Sequence, residues 1–244
     1  RKQEANMNIQ NEELLNFKEP SEFIYHSYTE KGKVIGIFDG EKFVDTITKD
    51  GYVILDKTCF YAEAGGQVSD TGMITSDNFK ARVLDVRKAP NGQHLHKIKV
   101  LDGIVHVNDL VKTSIDEARR KKIEVNHSSV HLLQYALRTI ISDKIHQAGS
   151  YVDEFSLRFD FTYTGKLLDD KIIEVEDFIN QYVKENIESK TEVMDVNEAK
   201  ATGAMALFSE KYGNNVRVVT IGESRELCGG THIQNTSEIK NFAI

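Results

Sequence analysis

The sequence predicts an α+β protein, a small antiparallel β-barrel-like domain followed by an α+β domain. Short apolar runs punctuated by Gly, Asp and Asn fill the chain from Phe23 to about Val111, as short antiparallel strands require. From Ser114 onward the pattern switches to helical apolar spacing interleaved with strand alternation. The length of 244 residues, against about 150 for a typical domain, accommodates two modest domains. With 40% hydrophobic and 28% charged residues and only 2 Pro, the chain has enough apolar material for two cores and is not low-complexity.

Residues 1–22 read as a linker or the tail of a preceding element, with a helical hint at Glu12–Leu15 that Pro20 closes. The β-rich domain, 23–112, draws its strands from Lys33–Phe38, Tyr52–Leu55, Arg82–Val86 and His94–Val100. The α+β domain, 113–244, opens on Ser114 with Glu117 three residues later, a capping-box spacing that predicts a helix start. Asn126 is expected to cap a second helix carrying His131, Leu133, Leu137, Ile141 and Ile145. Ser156–Tyr163 alternates Leu157, Phe159, Phe161 and Tyr163 against Arg158, Asp160 and Thr162, a half-buried strand. Ile172, Val175, Ile179, Tyr182, Val183 and Ile187 then form one helical stripe, and Val216–Ile221 and Arg225–Cys228 return to strand. The opening on Arg1 and the apolar ending Phe242-Ala243-Ile244 suggest a piece of a longer protein.

Charge and cysteine content exclude several classes. The balance of 31 Lys+Arg against 38 Asp+Glu gives −7, so any nucleic-acid contact must be local. Two cysteines, Cys59 and Cys228, make no disulfide framework and predict a reducing, cytoplasmic setting. Neither an apolar run of membrane-spanning length nor a signal-peptide core is present, so no membrane partner is expected.

His127 and His131 lie at i and i+4, one turn apart on a helix face, and Cys228-Gly229-Gly230-Thr231-His232 sets a thiol and an imidazole around a tight turn. Three imidazoles and a thiolate suit one tetrahedral zinc ion and disfavour magnesium or calcium, which take oxygen. Such an ion is either structural, closed by four protein ligands, or catalytic, with one of the four weakly held. No Glu follows His127, so the His-Glu-x-x-His pattern of metalloproteases is absent.

Several segments together resemble the editing region of alanyl-tRNA synthetases. They are Asn126-His127 through His131-Leu132-Leu133, Ser156–Phe161, Gly203-Ala204-Met205-Ala206-Leu207-Phe208, Val216–Val219, Cys228–His232 and the glycine-rich Thr58–Gly72. The resemblance runs from about residue 23 to the end and extends to freestanding alanyl-tRNA editing proteins. It implies hydrolytic deacylation of alanine-specific tRNA wrongly charged with serine or glycine, within an alanine-tRNA ligase whose other domains are further partners. A pocket sized for a methyl group excludes glycine, or serine's added hydroxyl, only modestly, so a second sieve is needed. Alternatives are a tRNA acceptor-binding module with a purely structural zinc, and a freestanding trans-editing deacylase.

The resemblance implies that His127, His131, Cys228 and His232 are the zinc ligands, that Gln67 serves the hydrolysis, and that Thr58 reads the serine hydroxyl. Asp160 is a candidate to orient a zinc-bound histidine, or else sits on a solvated strand face. Glu63 is either a general base or an exposed turn carboxylate. Arg119, Arg120, Lys121 and Lys122 offer a patch for acceptor-stem phosphates, or a solvated helix face.

Overall fold

The computed structural model describes residues 11–206 and 213–244. The first ten residues of the expected linker, and Leu207 and Phe208 of the Gly203–Phe208 motif, lie outside the described residues. The chain packs as two compact units, one formed by the described residues up to Ala64 with Ser69–Arg120, the other by Gly65–Val68 with the described part of Lys121–Ile244.

In the first unit, six strands close into an antiparallel barrel: β1 (Thr29–Phe38), β2 (Asp50–Leu55), β3 (Gly72–Thr75), β4 (Phe79–Lys88), β5 (His94–Gly103) and β6 (Leu110–Ile115), in the order β6-β1-β2-β5-β4-β3. Pairing of β6 with β3, Thr113 opposite Ile74, closes the ring and leaves no open edge among these strands. Period-two alternation fills the interior: Phe79, Ala81 and Val83 point inward while Lys80 and Arg82 stay outside. Val34, Val53, Phe60, Ile74, Ile98 and Val111 complete that core. The expected domain limit at residue 112 falls inside β6.

From Asn11 onward the expected linker is packed rather than loose. A short helix, α1 (Glu12–Asn16), buries Leu14 against Phe38, Ile54 and Leu95. Its free C-terminal carbonyls are taken up by side chains: Asn91 Nδ2 donates to Leu15 and Phe17, and Gln93 Nε2 to Phe17 and Glu19.

One continuous helix, α2 (Glu117–Ile140), replaces the two that were expected. Ser114 belongs to β6, and Asp116 supplies the cap by accepting the Arg119 N–H at 3.0 Å. Asn126 starts no new helix: it lies inside α2, where its side-chain Nδ2 donates to the Asp153 carbonyl at 2.8 Å. The apolar face of α2 carries Leu133, Ala136 and Leu137 into a core shared with Val175, Ile179 and Val183 of α3 (Asp169–Lys184). Ile141, Ile145 and Ile187 lie beyond the ends of these helices.

Strands make up much of the remaining described part of the second unit. β7 (His146–Val152), which the sequence did not announce, pairs antiparallel with the alternating β8 (Leu157–Thr162) through a bulge between Gln147 and Gly149. Further on, β9 (Ser189–Asp195), β10 (Met205–Ala206), β11 (Asn215–Ile221) and β12 (Ser224–Leu227) form a sheet ordered β9-β11-β12-β10. A short helix, α4 (Val196–Ala201), follows β9 and is capped by Asp195, whose carboxylate accepts the Asn197 N–H. The sheet delivers the chain directly into Cys228, at the end of β12.

Candidate metal centre

α2 presents His127 and His131 one turn apart, and the turn after β12 brings Cys228 and His232 to meet them. One ligand atom from each of the four lies within 4.8 Å of all the others. Cys228 Sγ is 3.5 Å from His127 Nε2 and 3.3 Å from His232 Nε2. A zinc tetrahedron with bonds of about 2.3 Å to sulfur and 2.05 Å to nitrogen has edges of about 3.3–3.6 Å, so the donor set fits zinc in kind and the two sulfur–nitrogen separations match its edges.

Two of the three imidazoles, His127 and His232, are steadied by a hydrogen bond at Nδ1. Gln67 Oε1 accepts the Thr231 N–H at 2.9 Å, which fixes the orientation of the amide, and lies 2.7 Å from His127 Nδ1. Nδ1 therefore carries the proton and donates it, leaving the Nε2 lone pair toward Cys228. Gln67 Nε2 donates to Thr231 Oγ1 at 2.8 Å, so the fully buried amide is engaged at both ends. His232 Nδ1 is 3.0 Å from Ser128 Oγ, which also accepts the Ile233 N–H at 3.1 Å. His131 Nδ1 stands 3.1 Å from Glu226 Oε2, but neither nitrogen of His131 has a hydrogen-bond partner within the protein.

The turn that carries Cys228 and His232 is itself held. Arg217 donates to the carbonyls of Cys228 and Gly230 at 3.1 and 2.6 Å, and the Gly230 N–H points to Cys228 Sγ at 3.4 Å. Glycine is required at 230 by close approach: a Cβ there would meet His127 Cε1 at 2.0 Å and Nδ1 at 2.4 Å. Gly66, with φ +84°, does the same for Gln67, lying against the Ser150 carbonyl while Val68 N and Gly66 O bond to Val152. Burial, aided by the Arg217 charge, pushes His127 down to about 3 and holds His131 and His232 well below the ordinary histidine value. Neutral imidazoles are the form a metal binds. Burial also holds the Glu226 carboxyl well above the usual carboxylate range.

Other residues singled out by the sequence lie elsewhere. Asp160 is half exposed and pairs with Arg158 at 3.2 Å; the carboxylate beside a cluster histidine is Glu226, not Asp160. Glu63 is exposed and pairs with Arg87 at 3.1 Å. Thr58 is fully buried in the barrel unit, its hydroxyl 2.8 Å from His96 Nε2 and accepting the Phe60 N–H at 3.1 Å. Because His96 Nδ1 donates to the Val53 carbonyl, Nε2 is an acceptor and the Thr58 proton is committed to it.

The basic run divides. Arg120 is completely buried, bonded through Nε and Nη2 to Asp70 and through Nη2 to the Cys59 carbonyl at 2.9 Å, so it is barrel structure and no phosphate contact. Arg119 is partly buried with Nη1 on the Ser69 carbonyl at 2.7 Å, whereas Lys121 and Lys122 are exposed. Sequence reasoning missed Glu226. Its position two before Cys228 on a strand, hence on the same face, was the available signal.

An α+β fold with a barrel unit here carries a His₃Cys cluster that could hold a metal ion, and two parts of the chain match known families. Residues 1–119 match the model described as tRNA synthetases class II (A), and residues 216–244 that of the threonyl and alanyl tRNA synthetase second additional domain. The chain is homologous to alanine–tRNA ligases. It is 44% identical over 242 residues to that of Lysinibacillus sphaericus, covering 98% of this chain and 27% of the relative. Identity to the Listeria welshimeri ligase is 42% over 242 residues (98% and 28%), and to that of Shouchella clausii 41% over 248 residues (100% and 28%). The chain thus spans about a quarter of the length of the curated relatives it matches. No described helix is long and apolar enough to cross a membrane.

Proposed function

We propose that this chain is the zinc-organised module of an alanine–tRNA ligase that receives the aminoacylated acceptor end of tRNA, and that it hydrolyses the ester when the amino acid is serine or glycine. The observation that carries the reading is the four-donor cluster, in a chain collinear with ligases over almost its whole length. A set of four protein donors is the arrangement of a structural ion, since catalytic sites usually keep a position for water or substrate. This favours a metal that organises the acceptor pocket, and it is the better-supported half of the proposal.

The hydrolytic half rests on the resemblance to editing regions and on the physical need for a second sieve. When bound, zinc supplies positive charge beside the four ligands. The chain's own residues hold the pocket: Gln67 orients His127 and ties it to Thr231, and Arg217 keeps the Cys228–Gly230 turn closed. Recognition of the serine hydroxyl by Thr58 is carried by the resemblance alone, since the residue is fully buried in the barrel unit with its hydroxyl engaged by His96 and Phe60. Lys121 and Lys122 meet acceptor-stem phosphates, with most tRNA affinity supplied by other parts of the enzyme, in keeping with the net charge of −7.

The test uses the zinc-loaded chain with alanine-specific tRNA charged in turn with serine, glycine and alanine. Faster release of serine and glycine than the uncatalysed background, with alanine spared, supports hydrolysis. Acceptor-end binding without turnover leaves the binding module and removes the deacylase; neither binding nor turnover removes both.

A further inference from the structure

Glu226 is a fully buried carboxylate in β12, two residues before a cluster cysteine. Oε2 stands 3.1 Å from His131 Nδ1 without hydrogen-bond alignment, so neither carboxylate oxygen nor Nδ1 has a hydrogen-bond partner in the protein. A charged or polar group of this kind is costly to bury without a purpose. The other two histidines of the cluster meet neutral partners, Gln67 and Ser128. His131 alone meets an acidic group.

We propose that Glu226 is the positioning residue of the metal centre: its carboxyl group lies against His131 Nδ1 so that Nε2 faces the other ligands, and with a divalent ion bound the ionised carboxylate offsets the ion's second positive charge. The charge count supports this. A Cys228 thiolate offsets one of the two charges of zinc, the three imidazoles offset none, and the Arg217 guanidinium on the Cys228 and Gly230 carbonyls adds another positive charge nearby. A carboxylate against the remote nitrogen of a ligating histidine also raises its basicity toward the metal. Glu226 is close enough to His131 to act on it, and it is too deeply buried to reach substrate as the chain stands.

The proposal rests on the metal-site reading, and the test separates the two. The metal-free chain is titrated with zinc against a chromogenic chelator, and with cobalt to record the visible spectrum of the bound ion. Wild type is expected to take one ion. Glu226→Gln, which keeps an acceptor for Nδ1 but loses the charge, should weaken zinc affinity by about 10–100-fold while the melting temperature of the metal-free chain is not lowered. Glu226→Asp, with the charge on a shorter arm, should recover part of that loss. If Glu226→Gln fails to fold, Glu226→Asp decides alone: weakened affinity supports the proposal, and affinity equal to wild type overturns it. Unchanged affinity in a folded Glu226→Gln overturns the role of Glu226 while leaving the metal site standing. A wild-type chain that takes up no metal overturns both.

Discussion

Gln67 Oε1 and His127 Nδ1 lie 2.7 Å apart although 60 residues separate them in the chain. The glutamine that sequence pattern places in a glycine-rich turn is thereby a partner of a metal-site histidine. Gln67→Leu should leave the Thr231 N–H unbonded and His127 unheld, costing about 1–3 kcal/mol of stability and about 10–100-fold in zinc affinity. Gln67→Glu keeps both acceptor contacts and should lose less. Zinc titration alongside thermal melting checks this, and equal affinities for all three chains would show that the amide only pins the turn.

Gly230→Ala should abolish metal uptake without unfolding the barrel. The added methyl would overlap the His127 ring, with 2.0 Å to Cε1, and the ring must leave its place among the ligands. Metal analysis of the purified variant, with circular dichroism to establish that the fold persists, would contradict the prediction if one zinc per chain were retained.

Cys228→Ala removes the sulfur that lies 3.3 and 3.5 Å from two imidazoles. Zinc content and the proposed deacylation should fall together, because three histidines remain without the thiolate's charge. Unaltered metal stoichiometry would strike Cys228 from the ligand set.

Arg120→Met should destabilise the barrel by about 3–5 kcal/mol, since it strands the buried Asp70 carboxylate. Lys122→Ala, on the exposed face, should change stability by less than about 0.5 kcal/mol. Urea unfolding of both variants tests the division of the basic run into a structural residue and solvent-facing ones; equal midpoints would remove it.

The barrel should lose stability as pH falls below 6.5. Burial keeps His94 down to about 4 and His96, with His94 beside it, down to about 3, so both are neutral in the folded barrel. In the unfolded chain each takes up a proton near 6.5, so from there down to the folded values each histidine removes up to about 1.4 kcal/mol per pH unit. Above 6.5 both states are neutral and neither contributes. Urea midpoints measured from pH 7 to 4.5 should decline, with a shallower slope in His94→Gln; parallel slopes would assign the decline to other groups.

Much of this molecule was legible in the sequence because local chemistry carried it. Period-two alternation in Phe79–Val83 and Leu157–Phe161 marked strands, the Val175–Val183 stripe marked a helix, and the four metal donors were marked by i, i+4 spacings that survive any packing. The errors came where a distant partner outweighed a local signal. Asn126 reads as a cap although the helix runs straight through it and its amide reaches out to the Asp153 carbonyl, and Arg120 reads as a surface charge although it is buried against Asp70. By itself the sequence determined the donor set and the fold class, since both depend on residue type and short-range periodicity. Only the tertiary structure decided that Gln67, Glu226 and Ser128 are the groups that lie beside the three histidines, because pairs 60 to 104 residues apart meet through sheet register and core packing that no local window contains.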